Sequence, residues 1–289
     1  MDGILIINKP KGFTSHDVVN VVRKTLNEKK VGHTGTLDPN ATGVLPILIG
    51  KATKISKYLI EHNKEYIAIL KLGKTTDTGD SKGEIVGEDL HLKDVLKYLN
   101  IEHVKEILKL FLGEQKQIPP IYSAIKVNGK KLYEYARKGQ AVEIEPRTIT
   151  IQKIELLELK EDEICFKVLC SKGTYIRTLC EDIAKKIGTI GYMKELTRTK
   201  VNEFSIENAI TIDELKNNIE GVKEKIINLE ALFKSEEKID LNNRKKELFL
   251  NGVQLTFEHP NGIYRIYHDN RFIGLGTINN DLLKRDVIL

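Results

Sequence analysis

Cysteine is scarce in this chain: Cys165, Cys170 and Cys180 are the only three, an odd count with no CxxC pair. That spacing suggests neither a zinc site nor a disulfide framework, and it suits a reducing compartment. No apolar run approaches the roughly eighteen residues of a membrane span. The start, Met1-Asp2-Gly3, has no basic region, and its apolar run is interrupted at Asn8-Lys9-Pro10. The expectation is a protein that is neither exported nor membrane-bound and works in the cytoplasm. Tandem repeats and low-complexity segments are also missing. Lys71-Leu-Gly-Lys-Thr-Thr76 imitates the end of a phosphate-binding Walker loop, but Ala68 stands where that loop requires glycine. The signs of a nucleotide hydrolase, of a Rossmann dehydrogenase and of a metal cluster are therefore lacking.

What is present is a chain of 289 residues, long enough to bury a sizeable core as one large domain with a smaller one. A net charge of +5 and a pI near 8.8 permit a polyanionic partner without requiring one. The chemistry concentrates between Gly32 and Gly43, in Gly-His-Thr-Gly-Thr-Leu-Asp-Pro-Asn-Ala-Thr-Gly. These residues follow neither a helical nor a strand period, so they read as a loop. Helical spacing of Val18, Val19, Val22 and Leu26 precedes it, and the apolar run Val44 to Ile49 follows at strand length. Pro39 pushes Asp38 into an extended conformation. On the residues alone, Asp38 is either a functional carboxylate or the side chain of an Asx-turn.

The loop fills every fixed position of Gly-His-x-Gly-x-Leu-Asp-Pro-x-Ala-x-Gly, and in this it resembles the catalytic loop of the TruB family of tRNA pseudouridine synthases. The resemblance makes Asp38 the catalytic aspartate and Gly35 part of its support. It continues in register to about Phe204. Lys9-Pro10, otherwise a plain turn after the strand Ile4 to Ile7, packs against the catalytic loop in this family. Lys64 to Leu72 alternates as a strand, with Tyr66, Ala68 and Leu70 on one face. The family places an active-site tyrosine at Tyr66, stacked on the target base. In Ser171-Lys-Gly-Thr-Tyr-Ile-Arg177 the resemblance makes Arg177 the partner of Asp38, so a contact between the two is expected. A guanidinium can hold a carboxylate bidentately and keep it ionised. Tyr175 and Leu196 become apolar walls of the pocket by the same likeness, and His33 fills the space of the extruded base. The alternative for His33 is a turn cap.

Between Gln117 and Arg147 the chain changes character. Lys126, Lys130, Lys131, Arg137 and Lys138 are interleaved with Tyr122, Tyr133 and Tyr135, around the hairpin signal Asn128-Gly129. Composition alone leaves open a solvated amphipathic face or a surface gripping RNA. Ile-Pro-Pro-Ile-Tyr-Ser-Ala and Lys-Lys-Leu-Tyr-Glu-Tyr-Ala-Arg resemble the RNA-gripping insertion of the TruB family. Two further elements are read from pattern: a solvated turn at Asp77 to Gly83 and a helix at Ala52 to Glu61. The last fifty or so residues, with a hairpin turned at Asp269-Asn270, are similar to a short PUA domain.

The implied fold is α+β: a pseudouridine synthase fold with a central, largely antiparallel mixed sheet flanked by helices, plus a small β-rich PUA-like domain. The expected boundaries are 1–232 for the catalytic domain, with the insertion at 118–148, and 236–289 for the RNA-binding unit. The implied reaction isomerises the T-loop uridine of tRNA, position 55, with Asp38, Tyr66 and Arg177 and with the base flipped out. It is redox-neutral, so neither a cofactor nor a metal is expected. The expected partner is the T-arm stem-loop, bound by a monomer. Whether the carboxylate attacks the anomeric carbon or removes a ribose proton stays open. A guide-RNA-dependent synthase and a tRNA-folding chaperone without catalysis are the rival readings.

Overall fold

The computed structural model describes all 289 residues. The larger part of the chain supplies strands β1 (Gly3–Lys9), β2 (Val31–His33), β3 (Thr42–Ile49), β4 (Lys64–Leu72), β5 (Lys74–Thr76), β6 (Ile85–Glu88), β7 (Gly113–Gln117), β8 (Lys126–Val127), β9 (Lys130–Lys131), β10 (Arg147–Lys160), β11 (Glu163–Cys170), β12 (Gly191–Val201) and β13 (Phe204–Ser205). Between them lie helices α1 (Ser15–Thr25), α2 (Ser56–Ile60), α3 (Leu92–Tyr98), α4 (Ile101–Lys109), α5 (Leu132–Ala136) and α6 (Ile176–Ile187). Short helices α7 (Ile212–Asn217), α8 (Ile219–Glu224) and α9 (Leu229–Leu232) lead to β14 (Lys238–Asp240), α10 (Asn243–Leu250), β15 (Leu255–Thr256), β16 (Gly262–His268), β17 (Arg271–Asn279) and β18 (Leu282–Ile288).

Nine strands form the central sheet in the order β1-β3-β12-β4-β11-β10-β7, with β2 on β3 and β13 on β12. All its pairings are antiparallel except that of β12 with β3, which runs parallel through Thr197–Thr42 and Arg198–Gly43. A separate five-stranded sheet, β14-β16-β17-β18-β15, closes the chain. The arrangement is the expected α+β class, mixed but largely antiparallel.

The burial pattern of each strand follows from what covers its faces. β4 alternates without exception, burying Lys64, Tyr66, Ala68, Leu70 and Leu72. One face packs on α4 and α6 through Val104, Ile107, Leu179 and Ile183, and the other is wetter. β1 and β3 are apolar on both faces because both are covered. Leu5, Ile7, Leu45 and Ile47 meet Val18, Val19 and Val22 of α1 on one side. On the other, Ile4, Ile6, Val44 and Leu48 share a cluster with Leu275 and Val287 of the C-terminal sheet. Each such side chain contributes about 1.5–3 kcal/mol by leaving water.

Local signals explain the boundaries. α1 starts at Thr14, whose hydroxyl accepts from the Asp17 N–H while the Asp17 carboxylate accepts from the Thr14 N–H. Asn100 caps α4 and divides it from α3. Asn128 and Gly129, at φ +50° and +80°, make the two-residue turn between β8 and β9. Three expectations need correction. Strand pairing reaches into both ends of the Gly32 to Gly43 loop, through β2 and β3, leaving 34–41 as the irregular part. The helix expected over Ala52 to Glu61 begins as a 3-10 turn, Gly50–Ile55, and becomes α only at Ser56–Ile60. The Asp77 to Gly83 turn is solvated only in part: Asp77, Ser81 and Lys82 are exposed, but Gly79 and Asp80 are buried. The Asp80 carboxylate accepts from the Thr78 hydroxyl and the Lys82 N–H, and the Gly79 carbonyl accepts from the Met193 N–H of β12.

Gly43 is fixed by the parallel pairing. It has φ +104°, and a Cβ placed there would lie 2.2 Å from the Arg198 carbonyl oxygen of β12. Gly139 also has positive φ, +61°, with nothing within 4 Å. Gly43→Ala is therefore expected to cost about 2–5 kcal/mol, strain and overlap together, against about 1 kcal/mol for Gly139→Ala. Urea unfolding of the two variants measures the difference, and equal costs would show that the β12 backbone yields.

Candidate active site

The loop at 34–41 hangs between β2 and β3 and is tied down from below. Lys9, at the end of β1, is fully buried, and its ammonium donates to the carbonyls of Pro10, Phe13 and Pro39. Burial pulls its pKa down to about 8, while the Asp38 charge acts the other way. Ser15 of α1 accepts from the Leu37 N–H and donates to the Leu37 carbonyl, and Gly12 N–H donates to Pro39. The buried side chains of Leu37 and Ala41 complete the anchorage. Asp38 is thus held from both sides by its own neighbours. Pro10 contributes its carbonyl to the Lys9 knot.

Arg177 lies at the start of α6, nearly fully buried, with its Nε 3.1 Å from Asp38 Oδ2. Its other two nitrogens donate to the Thr78 carbonyl at 3.1 Å and the Tyr122 carbonyl at 2.9 Å. One guanidinium therefore joins the catalytic-loop candidate, the 77–83 turn and the stem of the 118–148 insertion. Burial pushes the Asp38 carboxyl above the ordinary carboxylate range, with Arg177 and Lys9 opposing the shift and Asp80 adding to it. Glu181, one turn further along α6, is likewise raised by burial.

Around this pair lies a small pocket of about 100 Å³, lined by Asp38, Tyr66, Tyr175, Met193 and Leu196 among others. It opens into an outer chamber of about 450 Å³ that shares Asp38, Tyr66, Tyr175 and Arg177 and is bounded by Tyr122 and Tyr133 of the insertion. Tyr66 reaches both from β4, where burial pushes its phenol up and keeps it neutral. Leu196 stands beside it on β12, in register with Ala68. Tyr175 is fixed through its backbone: Gln117 of β7 accepts from its N–H at 2.8 Å and donates to its carbonyl at 3.0 Å. A cavity of about 550 Å³ at the outer edge of β1 contains none of these residues.

The structure thus brings Asp38, Tyr66, Tyr175, Arg177 and Leu196 together, with Lys9, Pro10 and Gly35 beneath or beside them. His33 does not line either chamber; its Nδ1 accepts from the Gly35 N–H at 3.3 Å, and burial lowers its pKa. Lys126, Lys130, Lys131 and Arg137 stay on the insertion, where Lys131 and Arg137 flank the Tyr133 ring at 5.3 Å each. No three or more His, Cys, Asp or Glu side chains group as metal ligands. Sequence reasoning missed Arg198, Lys64, Gln117 and the Thr78 carbonyl. Arg198 is buried and donates to the carbonyls of Val44 and Gly35. Gly35 holds φ +129°, a backbone conformation that favours glycine, and its carbonyl accepts from Arg198; a Cβ there would make only ordinary contact with the guanidinium. Only the regular inward alternation of β4 could have marked Lys64 as buried; β12, with two register shifts, offers no such pattern for Arg198.

Among solved structures, the chain is similar to an archaeal box H/ACA Nop10–Cbf5 complex, with a TM-score of 0.70 at 23% identity over 99% of this chain and 85% of that one. A Cbf5–Nop10–Gar1 complex gives a TM-score of 0.69 at 26% identity, covering 99% and 84%. The fold is that of a pseudouridine synthase. The model of the TruB family pseudouridylate synthase N-terminal domain matches residues 23–176, and that of the tRNA pseudouridylate synthase B C-terminal domain matches 177–237. The tRNA pseudouridine synthase B of Alkaliphilus oremlandii is 47% identical, covering 97% of this chain and 94% of the relative. That of Clostridium tetani is 46% identical, covering 96% and 95%. The chain belongs to the TruB family and is a tRNA pseudouridine synthase.

The opposing effects on Asp38 give a titration test. Its carboxyl is expected to titrate above the ordinary aspartate range because of burial, and Arg177→Gln, which removes the largest charge holding it down, is expected to move the midpoint further up. Carbon-13 NMR of labelled aspartate follows both, and a lower midpoint in the variant would contradict the pairing.

Proposed function

We propose that the chain isomerises the T-loop uridine of tRNA, position 55, without a cofactor or guide, using Asp38 on a base extruded from the folded RNA. The observation that carries the reading is the Arg177–Asp38 pair at the junction of the two chambers. A carboxylate in a half-dry site is useful only if it stays ionised, and the guanidinium opposes the burial that would protonate it. In the reaction the bond from N1 to the ribose anomeric carbon breaks and a bond from C5 to that carbon forms. The C5 proton is lost, and N1 gains one. Ionised Asp38 starts either route, by attack on the anomeric carbon or by removal of a ribose proton.

The other residues take their roles from where they stand. The Tyr66 ring offers a stacking face, and Leu196, Met193 and Tyr175 enclose an apolar slot for an unstacked pyrimidine. Extrusion costs a few kcal/mol, offset by backbone contacts and by His33, which stands beside the loop to occupy the space the base leaves. Lys126, Lys130, Lys131 and Arg137 on the insertion grip phosphates, and the C-terminal sheet, as a PUA-like unit beginning near residue 236, adds a second RNA contact. The enzyme acts as a monomer in the cytoplasm. No helix is long and apolar enough to cross a membrane.

An unmodified T-arm stem-loop transcript, with no cofactor and no guide, is the test substrate. The parent is expected to form pseudouridine, and Asp38→Asn to lose about 10³-fold or more in rate while still binding. A parent that binds but leaves the RNA unmodified would favour the guide-dependent or chaperone readings. With four phosphate contacts, affinity should fall about 10²-fold for a fourfold rise in salt, and Lys130→Ala should reduce the log–log salt slope by about one. A flat salt response would count against the gripping role.

A further inference from the structure

Two cations on the wall of the outer chamber have no carboxylate partner. Arg198 is 1% exposed and Lys64 8% exposed, and neither meets a carboxylate: Arg198 donates to the carbonyls of Val44 and Gly35 and lies against the Tyr66 phenol, and Lys64 donates to the carbonyls of Ile60 and His62. The other two cations of the chamber are paired, Arg177 with Asp38 and Lys172 with Glu61. Buried charges are expensive unless matched, so two unmatched cations lining one cavity make it attractive to an anion. Each repels the other, and burial with that repulsion pulls Lys64 down to a pKa of about 8.

Two hydroxyls in the same chamber are also unsatisfied. Thr34 Oγ1, on the catalytic loop, and Ser123 Oγ, on the insertion, are buried without any hydrogen-bond partner. Their residues are 1% and 6% exposed. Orphaned buried hydroxyls are uncommon in native proteins and call for an explanation. Lys64 has a third N–H to give, and both hydroxyls can donate to an anionic oxygen. The chamber, about 450 Å³, is far roomier than the inner pocket, whose only charged lining residues are the Asp38–Arg177 pair, and it adds Lys64 and Arg198.

We propose that Lys64 and Arg198, with the hydroxyls of Thr34 and Ser123, form a receptor for one backbone phosphate of the RNA next to the extruded nucleotide. The proposal rests on the reading that the extruded uridine enters the inner pocket. Its ribose then sits at Asp38, and the chain leaving that ribose has the outer chamber as its path. Thr34 and Ser123 come from the loop and the insertion, so the phosphate would bridge the two and draw the insertion onto the site. Ser123 N–H donates to the Ile121 carbonyl and its carbonyl accepts from the Tyr133 N–H, so a pull on Ser123 reaches α5 directly.

The experiment combines a neutral backbone with a lost cation. Stem-loops carrying a single methylphosphonate at each of the phosphates flanking the target are titrated against the parent, Lys64→Met, Lys64→Arg and Ser123→Ala. One position is expected to cost the parent about tenfold in Kd. Lys64→Met should lose about tenfold on the natural RNA and nothing further at that position, with Lys64→Arg restoring the sensitivity and Ser123→Ala showing a smaller, likewise non-additive loss. Losses that multiply at every position would overturn the proposal, as would a parent indifferent to all of them. Competition by inorganic phosphate without methylphosphonate sensitivity would assign the chamber to a free anion and also overturn it. Unfolding midpoints confirm that the variants are folded. Pseudouridine formation by the parent on the unmodified stem-loop tests the underlying reading separately.

Discussion

A single guanidinium decides how the parts of this molecule stand relative to one another. Arg177 projects from the first turn of α6 and offers its planar set of donors to three segments far apart in sequence: Asp38 on the loop, Thr78 in the 77–83 turn and Tyr122 at the root of the insertion. A guanidinium remains charged at any working pH and cannot rearrange its donors, so the three partners are fixed in one plane. A lysine would supply the charge but not the geometry. The helix itself is placed by Leu179, Ile183 and Ile187 against the central sheet, so the position of the carboxylate traces back to ordinary apolar burial.

Below that clamp, the loop that carries Asp38 owes its shape to buried cations hydrogen-bonded to backbone carbonyls. Lys9 ties Pro10, Phe13 and Pro39 together, and Arg198 ties Val44 to Gly35. An irregular backbone inside a compact domain must have its carbonyls satisfied, and long side chains with several donors do this where no strand can reach. The parallel contact of β12 with β3 is the one place where the sheet departs from antiparallel pairing, and it brings Arg198 beneath the loop.

Much of the architecture is legible from pattern. The alternation of β4, the Asn100 break, the Asn128-Gly129 turn and the Asp269-Asn270 hairpin all follow from local chemistry, and the structure has each where the residues place it. The pairing of Arg177 with Asp38 is legible only through the likeness of two motifs to one family, because nothing local links residues so far apart. Lys9 is likewise placed only by the family resemblance, while the burial of Lys64 and Arg198 is illegible for a different reason. Lysine and arginine are ordinarily read as surface residues, and apart from the inward alternation of β4 at Lys64 their burial leaves little local signature. The 77–83 turn misleads in part: its Asp, Thr and Gly content matches a solvated loop, and Asp77, Ser81 and Lys82 are exposed, while Asp80 and the Gly79–Met193 contact are buried.

The two-sided burial of β1 and β3 also bears on what the C-terminal sheet can be. Leu275 and Val287 belong to the same apolar cluster as Ile4, Val44 and Leu48, and β3 runs directly out of the loop that holds Asp38. The terminal sheet is therefore not an appendage swinging on a tether. It serves as the back plate of β3, so a load applied to it would be felt, through rigid packing, at the mounting of the Asp38 loop.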